Sequence, residues 1–356
     1  MSTGAPPLVM RCGAFGDMVL LTVLLRHLHT RFGRPVDVIA SGAWTGALLA
    51  GQPGVGRLFV IRSRRSPYWL SLDQQRLVGW LRGRGLGPTW FCDLGPGKAL
   101  LQRGGIPTDH ICDSRAYPWV PGESFADRYI RLGNEAPSAL AATAPPPVTT
   151  TARRAQIEVT DAQRRELDDW LASRGLLGRP CIVVHPGSRH VARRRLRQRT
   201  GASKYWPEEN WAQVVRALRD LQPEHAILLS GTSAEKRFTQ DIIHRSGVSD
   251  AHDLAAALPI ARLLPLLERA HSMICVDTGP GHAAAALGCP TVALFGTADA
   301  ALFRPGGAVT PAVALTGVTD GRQNILGISV ETVINAWIAL AHTPQKTARD
   351  SVKSLT

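Results

Sequence analysis

The stretch SMICVDTGPGHAAAALG, residues 272–288, changes character twice in seventeen residues. It begins as an apolar, β-rich run, breaks into Asp277-Thr278-Gly279-Pro280-Gly281-His282, and restarts as an alanine-rich helix. A plain connection needs only a turn and a cap. This one sets a carboxylate, a hydroxyl, two glycines and an imidazole where the carboxyl end of a strand meets the amino end of a helix. Open α/β sheets bind ligands at that junction, because helix N–H groups without intrahelical partners point outward there and favour anions.

Two more strand ends of this kind precede it. CIVVH (181–185) runs into Pro186-Gly187-Ser188, and AILLS (226–230) runs into Gly231-Thr232-Ser233. Parallel strands bring such ends to one edge of a sheet, where small residues let backbone amides approach a diphosphate. After the first end comes SKYWPEENW, with Lys204 as a mobile point charge. Thr160 and Gln163 form a capping box ahead of one helix, and Pro207 opens another whose apolar face is Trp211, Val214, Val215, Leu218 and Leu221. TVALF is a strand, SVETVINAWIALAH (329–342) is a last amphipathic helix, and the polar tail 343–356 is expected to be disordered.

The first half repeats the alternation. LVMRC is followed by GDMVLLTVLLRHLHTRFG and VDVIA, and RLFVI by QQRLVGWLRGRG and TWFCDL. Short β-like runs alternating with amphipathic ones imply parallel strands with crossover helices. ALAATAPPPVTTTARR (139–154) has no periodicity and reads as a connector. The expected architecture is α/β: two Rossmann-like domains, 1–145 and 155–328, joined by 146–154, with a cleft between them.

A chain of 356 residues exceeds a single core, in keeping with two domains. Residues 8–25 look apolar, but Arg11, Asp17 and glycines interrupt them, so they read neither as a transmembrane span nor as a secretory signal. The six cysteines contain no C-x-x-C pair and several lie in strand-like runs; a reducing cytoplasm fits them better than a disulfide framework or a zinc site. The net charge of +13 is shared by both halves and points to anionic ligands, nucleic acid or a membrane surface. No RNP-like or helix-turn-helix signature supports nucleic acid. GPGKA (95–99) fails as a P-loop. Gly279-x-Gly281-x-x-Ala284 matches the dinucleotide fingerprint, but it falls late in the chain, and Asp299 lies past the next strand rather than at its tip. It leaves a nicotinamide-dependent dehydrogenase as a rival reading. Asp17, in RCGAFGDMVLLT, reads most plainly as a helix N-cap. For Asp277, Thr278 and His282 the plain readings are turn, cap and solvent-facing helix start.

Taken together, GAFGDMVLLT, KYWPEENW, DTGPGHAAAALGCPTVALFG and the closing ISVETV resemble glycosyltransferase family nine, the bacterial lipopolysaccharide heptosyltransferases, from about residue 8 to 342. The resemblance implies a GT-B fold with the acceptor on the first domain and the donor on the second. It also implies inversion at the anomeric carbon, no metal and no other cofactor. It makes Asp17 the catalytic base and Lys204 the counter-charge for the departing diphosphate. Thr278 and Gly279 would hold the phosphates, Asp277 and His282 would orient the donor, and Glu235 would lie near the nucleotide ribose. The implied partners are ADP-heptose and a lipid-linked anionic saccharide, met peripherally at the cytoplasmic face of the inner membrane. Family members pass quickly from the H-P-G strand end to K-x-W-P, whereas here SRHVARRRLRQRTGAS intervenes, leaving Thr200 and Ser203 as candidates for the hydroxyl groups before the lysine.

That insertion holds Arg189, Arg193, Arg194, Arg195, Arg197 and Arg199 with no acidic residue from Ser188 to Pro207. One reading is a solvated loop. The other is a dock for acceptor and membrane through Arg193, Arg194, Arg195 and Arg197, assisted by IRSRRSPYWLS (61–71) with Arg62, Arg64, Arg65, Tyr68 and Trp69.

Overall fold

The structure, a computed structural model, describes residues 4–149, 152–188, 203–305 and 312–341. It divides into two compact units, Met1–Glu158 and Val159–Thr356. In the first, β1 (Leu8–Met10), β2 (Val36–Ser41), β3 (Val55–Ile61), β4 (Thr89–Phe91) and β5 (Ile111–Asp113) form one parallel sheet in the order β3-β2-β1-β4-β5. The helix Phe15–Phe32 buries an unbroken run from Met18 to Leu25, because it is covered on more than one side. Gly33 ends it in the left-handed region, φ 62°, where a Cβ is unfavourable, and its N–H donates to the His29 carbonyl at 2.9 Å.

The proline-rich stretch does not mark the end of this unit. Arg31 donates to the Pro145 carbonyl at 2.8 Å, and the Val148 N–H donates to Asn134 Oδ1 at 2.9 Å. Ala155 and Ile157 are buried, and Gln52 exchanges two hydrogen bonds with the Glu158 backbone at 2.7 and 2.8 Å. The chain therefore stays fastened to the first sheet's layer until 158.

In the second unit β6 (Cys181–His185), β7 (Ala226–Leu229), β8 (His252–Asp253), β9 (Ser272–Val276), β10 (Thr291–Phe295) and β11 (Ala312–Thr316) pair parallel in the order β11-β10-β9-β6-β7-β8. Counted from its own first strand this is the 3-2-1-4-5-6 order of a dinucleotide-binding sheet, and the first unit has its 3-2-1-4-5 part. The expected α/β class and Rossmann-like halves are thus present. Trp206 and Trp211 meet edge to face at 4.9 Å in the core, which the helix Val330–Ala341 closes with Val333, Trp337 and Leu340.

Two local expectations change. Leu221 is 45% exposed, because it is the last residue of the helix Glu208–Leu221 and lies beyond the sheet that covers Trp211 to Leu218. A short hairpin unforeseen from the sequence, β12 (Val318–Thr319) and β13 (Arg322–Gln323), turns on Asp320-Gly321, both with positive φ as a type I′ turn requires.

Strand order reverses between β1 and β4 in one unit and between β6 and β9 in the other. Ligands of open α/β sheets bind outside the carboxyl ends of strands at such points. The residues after these four strands include Asp17, Asp93, the Pro186–Ser188 turn and Asp277.

Candidate active site

After β1 the chain turns through Gly13 into the helix Phe15–Phe32. A Cβ on Gly13 would sit 2.6 Å from the Asp17 Cβ, so only glycine admits the aspartate here. The N-cap position is Ala14, not Asp17. Asp17 stands within the first turn, and its Oδ2 accepts the Ala14 N–H at 2.9 Å. Its Oδ1 lies 3.2 Å from Arg11 Nη2, while Arg11 Nη1 donates to the Cys92 carbonyl at 2.5 Å. The carboxylate is thus held from two sides with a third of its side chain open to solvent. A residue that served only as a cap would need neither Arg11 nor a glycine opposite.

After β4, Asp93 is buried with its carboxylate 3.1 Å from Arg64 Nε. Burial pushes its carboxyl up, against the pull of Arg64. Arg64 also donates to the Cys12 carbonyl, which ties the loop after β3 to the ends of β1 and β4. Arg11 and Asp93 carry no motif, and Arg64 stood out in the sequence only as part of a basic run.

In the second unit Lys204, Asp277 and His282 come together. Lys204 Nζ donates to both the Asp277 carbonyl and its Oδ2, each at 2.6 Å, and His282 Nε2 lies 3.8 Å from Oδ1. Asp277 and His282 are buried; Lys204 keeps a quarter of its side chain exposed. Thr278 is the N-cap of the helix Gly279–Ala286, but its hydroxyl donates backward to the Val276 carbonyl at 3.0 Å and does not cap the helix. The amino end thus offers its amides and its partial positive charge beside an ammonium group, an arrangement suited to a diphosphate. Gly281 packs this helix on its strand: a Cβ there would meet Cys275 Sγ at 2.6 Å.

Ser203 and Lys204 form a turn lying on Gly296, whose added Cβ would collide with the Ser203 carbonyl oxygen. Gly296→Ala is therefore expected to displace that turn at a cost of about 1–3 kcal/mol. Affinity for a nucleoside diphosphate, measured by calorimetry, should fall with it, and parent-like affinity would show that Lys204 does not serve a diphosphate from this turn. Glu235 is wedged between strand ends. Its Oε2 accepts the Thr232 N–H at 2.6 Å and hydroxyl at 2.8 Å, and a Cβ on Gly187 would stand 2.7 Å from Oε1. Thr200, Arg193, Arg194, Arg195 and Arg197 lie outside the described residues.

All six cysteines are buried thiols. Burial pushes Cys12 and Cys181 up to about 11 and Cys92 to about 12, so none is poised as a nucleophile. Burial also pushes His185 down; its Nδ1 shares a hydrogen bond of 2.9 Å with Ser230. The folded protein keeps this ring neutral while the unfolded chain binds a proton below about 6.5. Its contribution is complete above that pH and is lost as pH falls toward the lower folded value. Urea unfolding is expected to show a loss that includes up to about 1.4 kcal/mol per pH unit from this ring, and His185→Gln should show a shallower slope. An unchanged slope would place the proton uptake elsewhere.

The family model for "Glycosyltransferase family 9 (heptosyltransferase)" matches residues 113–320, a segment containing Lys204, Glu235 and the Asp277–His282 junction; Asp17 precedes it. Lipopolysaccharide heptosyltransferase 3 of Escherichia coli K12 is 32% identical over 125 residues, 35% of this chain and 33% of that one. Lipopolysaccharide heptosyltransferase 2 of Salmonella typhimurium is 22% identical over 304 residues, 79% of this chain and 80% of that one. The solved structure of E. coli ADP-heptose lipopolysaccharide heptosyltransferase II superposes with a TM-score of 0.71 at 20% identity, covering 94% of this chain and 98% of that one. Its likeness carries the GT-B fold to both units.

Proposed function

Because the chain belongs to glycosyltransferase family 9, we propose that it moves a heptose from ADP-heptose to a lipid-linked anionic saccharide of the lipopolysaccharide core, with inversion and without a metal ion. Membership makes glycosyl transfer the reaction class, which sets aside the dehydrogenase reading. The observation that supports the donor assignment is the convergence of Lys204 and a helix amino end on Asp277, at the switch point of the second sheet.

In the proposed reaction the Asp17 carboxylate takes the proton of the acceptor hydroxyl as its oxygen bonds to the anomeric carbon. The bond from that carbon to the diphosphate breaks on the opposite side, and both electrons leave with ADP. The negative charge gathering on the diphosphate meets Lys204 and the backbone N–H groups of Thr278, Gly279 and Gly281, an interaction that strengthens toward the transition state. To receive a phosphate oxygen, Lys204 gives up its bond to Asp277 Oδ2, which leaves Asp277 to orient sugar hydroxyls with His282. Glu235 holds the ribose end, and Thr200 and Ser203 supply hydroxyl contacts before the lysine.

Among the described residues no helix is long and apolar enough to cross a membrane. A cytoplasmic enzyme that touches the inner membrane peripherally is the setting that a lipid-linked acceptor requires. Thermal-shift titration with ADP, ADP-heptose, GDP, UDP and NADH tests the donor. ADP and ADP-heptose should raise the melting temperature most and NADH should not; a preference for UDP or GDP would assign another sugar nucleotide to the same fold.

A further inference from the structure

Eleven large apolar side chains stand exposed among the described residues, and three of them fall within four positions: Trp69 at 74%, Leu70 at 64% and Leu72 at 68%. They crown the connection from β3 to the helix Leu72–Gly83, a 3-10 turn over Tyr68–Leu70. This connection is not slack. Gln74 Nε2 donates to the carbonyls of Ser63 and Ser66 at 2.7 and 3.1 Å, and Gln75 Nε2 donates to those of Tyr68 and Trp69, both at 3.2 Å. Asp73 accepts the Arg62 N–H and the Ser71 hydroxyl. Two glutamines and an aspartate hold the turn from behind while its largest apolar groups face water. A fourth exposed group, Leu94 at 78%, stands on the loop after β4, next to the Asp93 that Arg64 engages.

The charge around the turn is one-sided. Residues 62–82 carry five arginines against one aspartate, and that aspartate is spent on the turn itself. Arg62, Arg65 and Arg76 are exposed, whereas Arg64 faces inward to Asp93 and the Cys12 carbonyl. A protein partner of mixed charge would leave most of these cations unmatched. An anionic bilayer accepts both features at once, with apolar side chains and the indole in the interface and guanidinium groups on the phosphates.

We propose that the 62–72 turn is a preformed wedge that docks this protein on an anionic membrane surface. Arg64 joins the wedge to the strand ends beside Asp17, so docking sets the proposed base at the bilayer, where a lipid-linked hydroxyl arrives. That last consequence rests on the transferase reading; vesicle binding does not.

Co-sedimentation of the full chain with phosphatidylglycerol-rich and pure phosphatidylcholine vesicles tests it. The parent should bind the anionic vesicles, less so as salt rises. Trp69→Ser/Leu70→Ser/Leu72→Ser and, separately, Arg62→Ser/Arg65→Ser should each weaken binding about tenfold or more, with melting temperature kept. The apparent KM for a vesicle-embedded acceptor should rise in both variants by more than that for a delipidated, water-soluble one. Parent binding that ignores lipid charge, or variants that bind as the parent does, overturn the wedge. So does a parent dimer that the triple variant breaks, since a second copy would then be the occupant. Wedge-dependent vesicle binding without sugar transfer would uphold the docking surface and reject the transferase reading.

Discussion

Asp17→Asn is expected to fold, to bind donor as the parent does, and to turn over about 100-fold or more slowly, the scale on which a general base acts. Asparagine keeps an oxygen that can accept the Ala14 N–H, so the first turn of the helix Phe15–Phe32 retains its cap. It loses the charge facing Arg11 and the capacity to take a proton. The two roles therefore separate cleanly. A capping residue would tolerate the change with near-parent turnover, whereas a base would not. Single-turnover kinetics with saturating donor reads the difference, and a melting temperature within a few degrees of the parent shows that the fold is intact.

Lys204→Ala should be of similar size in turnover, about 100-fold, because a positive charge aimed at a departing diphosphate acts mainly in the transition state. It should weaken ADP binding as well. Lys204 is also the closest partner of the largely buried Asp277 carboxylate, and removing one member of such a pair leaves an uncompensated charge. Part of the defect could thus be structural, and Lys204→Ala/Asp277→Asn addresses that. The double variant should recover stability lost by the single one but not its turnover. If turnover recovers together with stability, Lys204 is a structural counter-ion of Asp277 and not a phosphate ligand.

Much of the scaffold was legible because strand and helix periodicities are local. CIVVH, AILLS, SMICV and TVALF form strands where their apolar runs say, and the Thr160–Gln163 box caps its helix as written. The junction after β9 was legible too, since a cluster of Asp, Thr, Gly and His between a strand and a helix is itself a short-range signal. Asp17 was visible as a residue but not as a position: the helix begins two residues before it, and so it lies inside the first turn. What stayed hidden depends on strand order. Arg64 reaches Asp93 and the Cys12 carbonyl only because β3, β1 and β4 end at one edge. The Lys204–Asp277 pair spans 73 positions and needs β6 beside β9. Gly296 closes the stretch DTGPGHAAAALGCPTVALFG, but its role there was hidden, since that role is to leave room for a backbone oxygen. The hairpin at 318–323 did carry an Asp-Gly signal, but strands of two residues are too short to show alternation.

The proposed reaction is a transfer, so the direct test is to watch one. Purified protein is incubated with ADP-heptose and a lipid-linked lipopolysaccharide core acceptor, and the acceptor is followed by mass spectrometry while released ADP is counted. The expected result is an acceptor heavier by one heptose residue, one ADP for each product formed, and almost none of either with Asp17→Asn. An acceptor that stays unchanged with ADP-heptose while another sugar nucleotide modifies it, or one modified equally fast by Asp17→Asn, would contradict it.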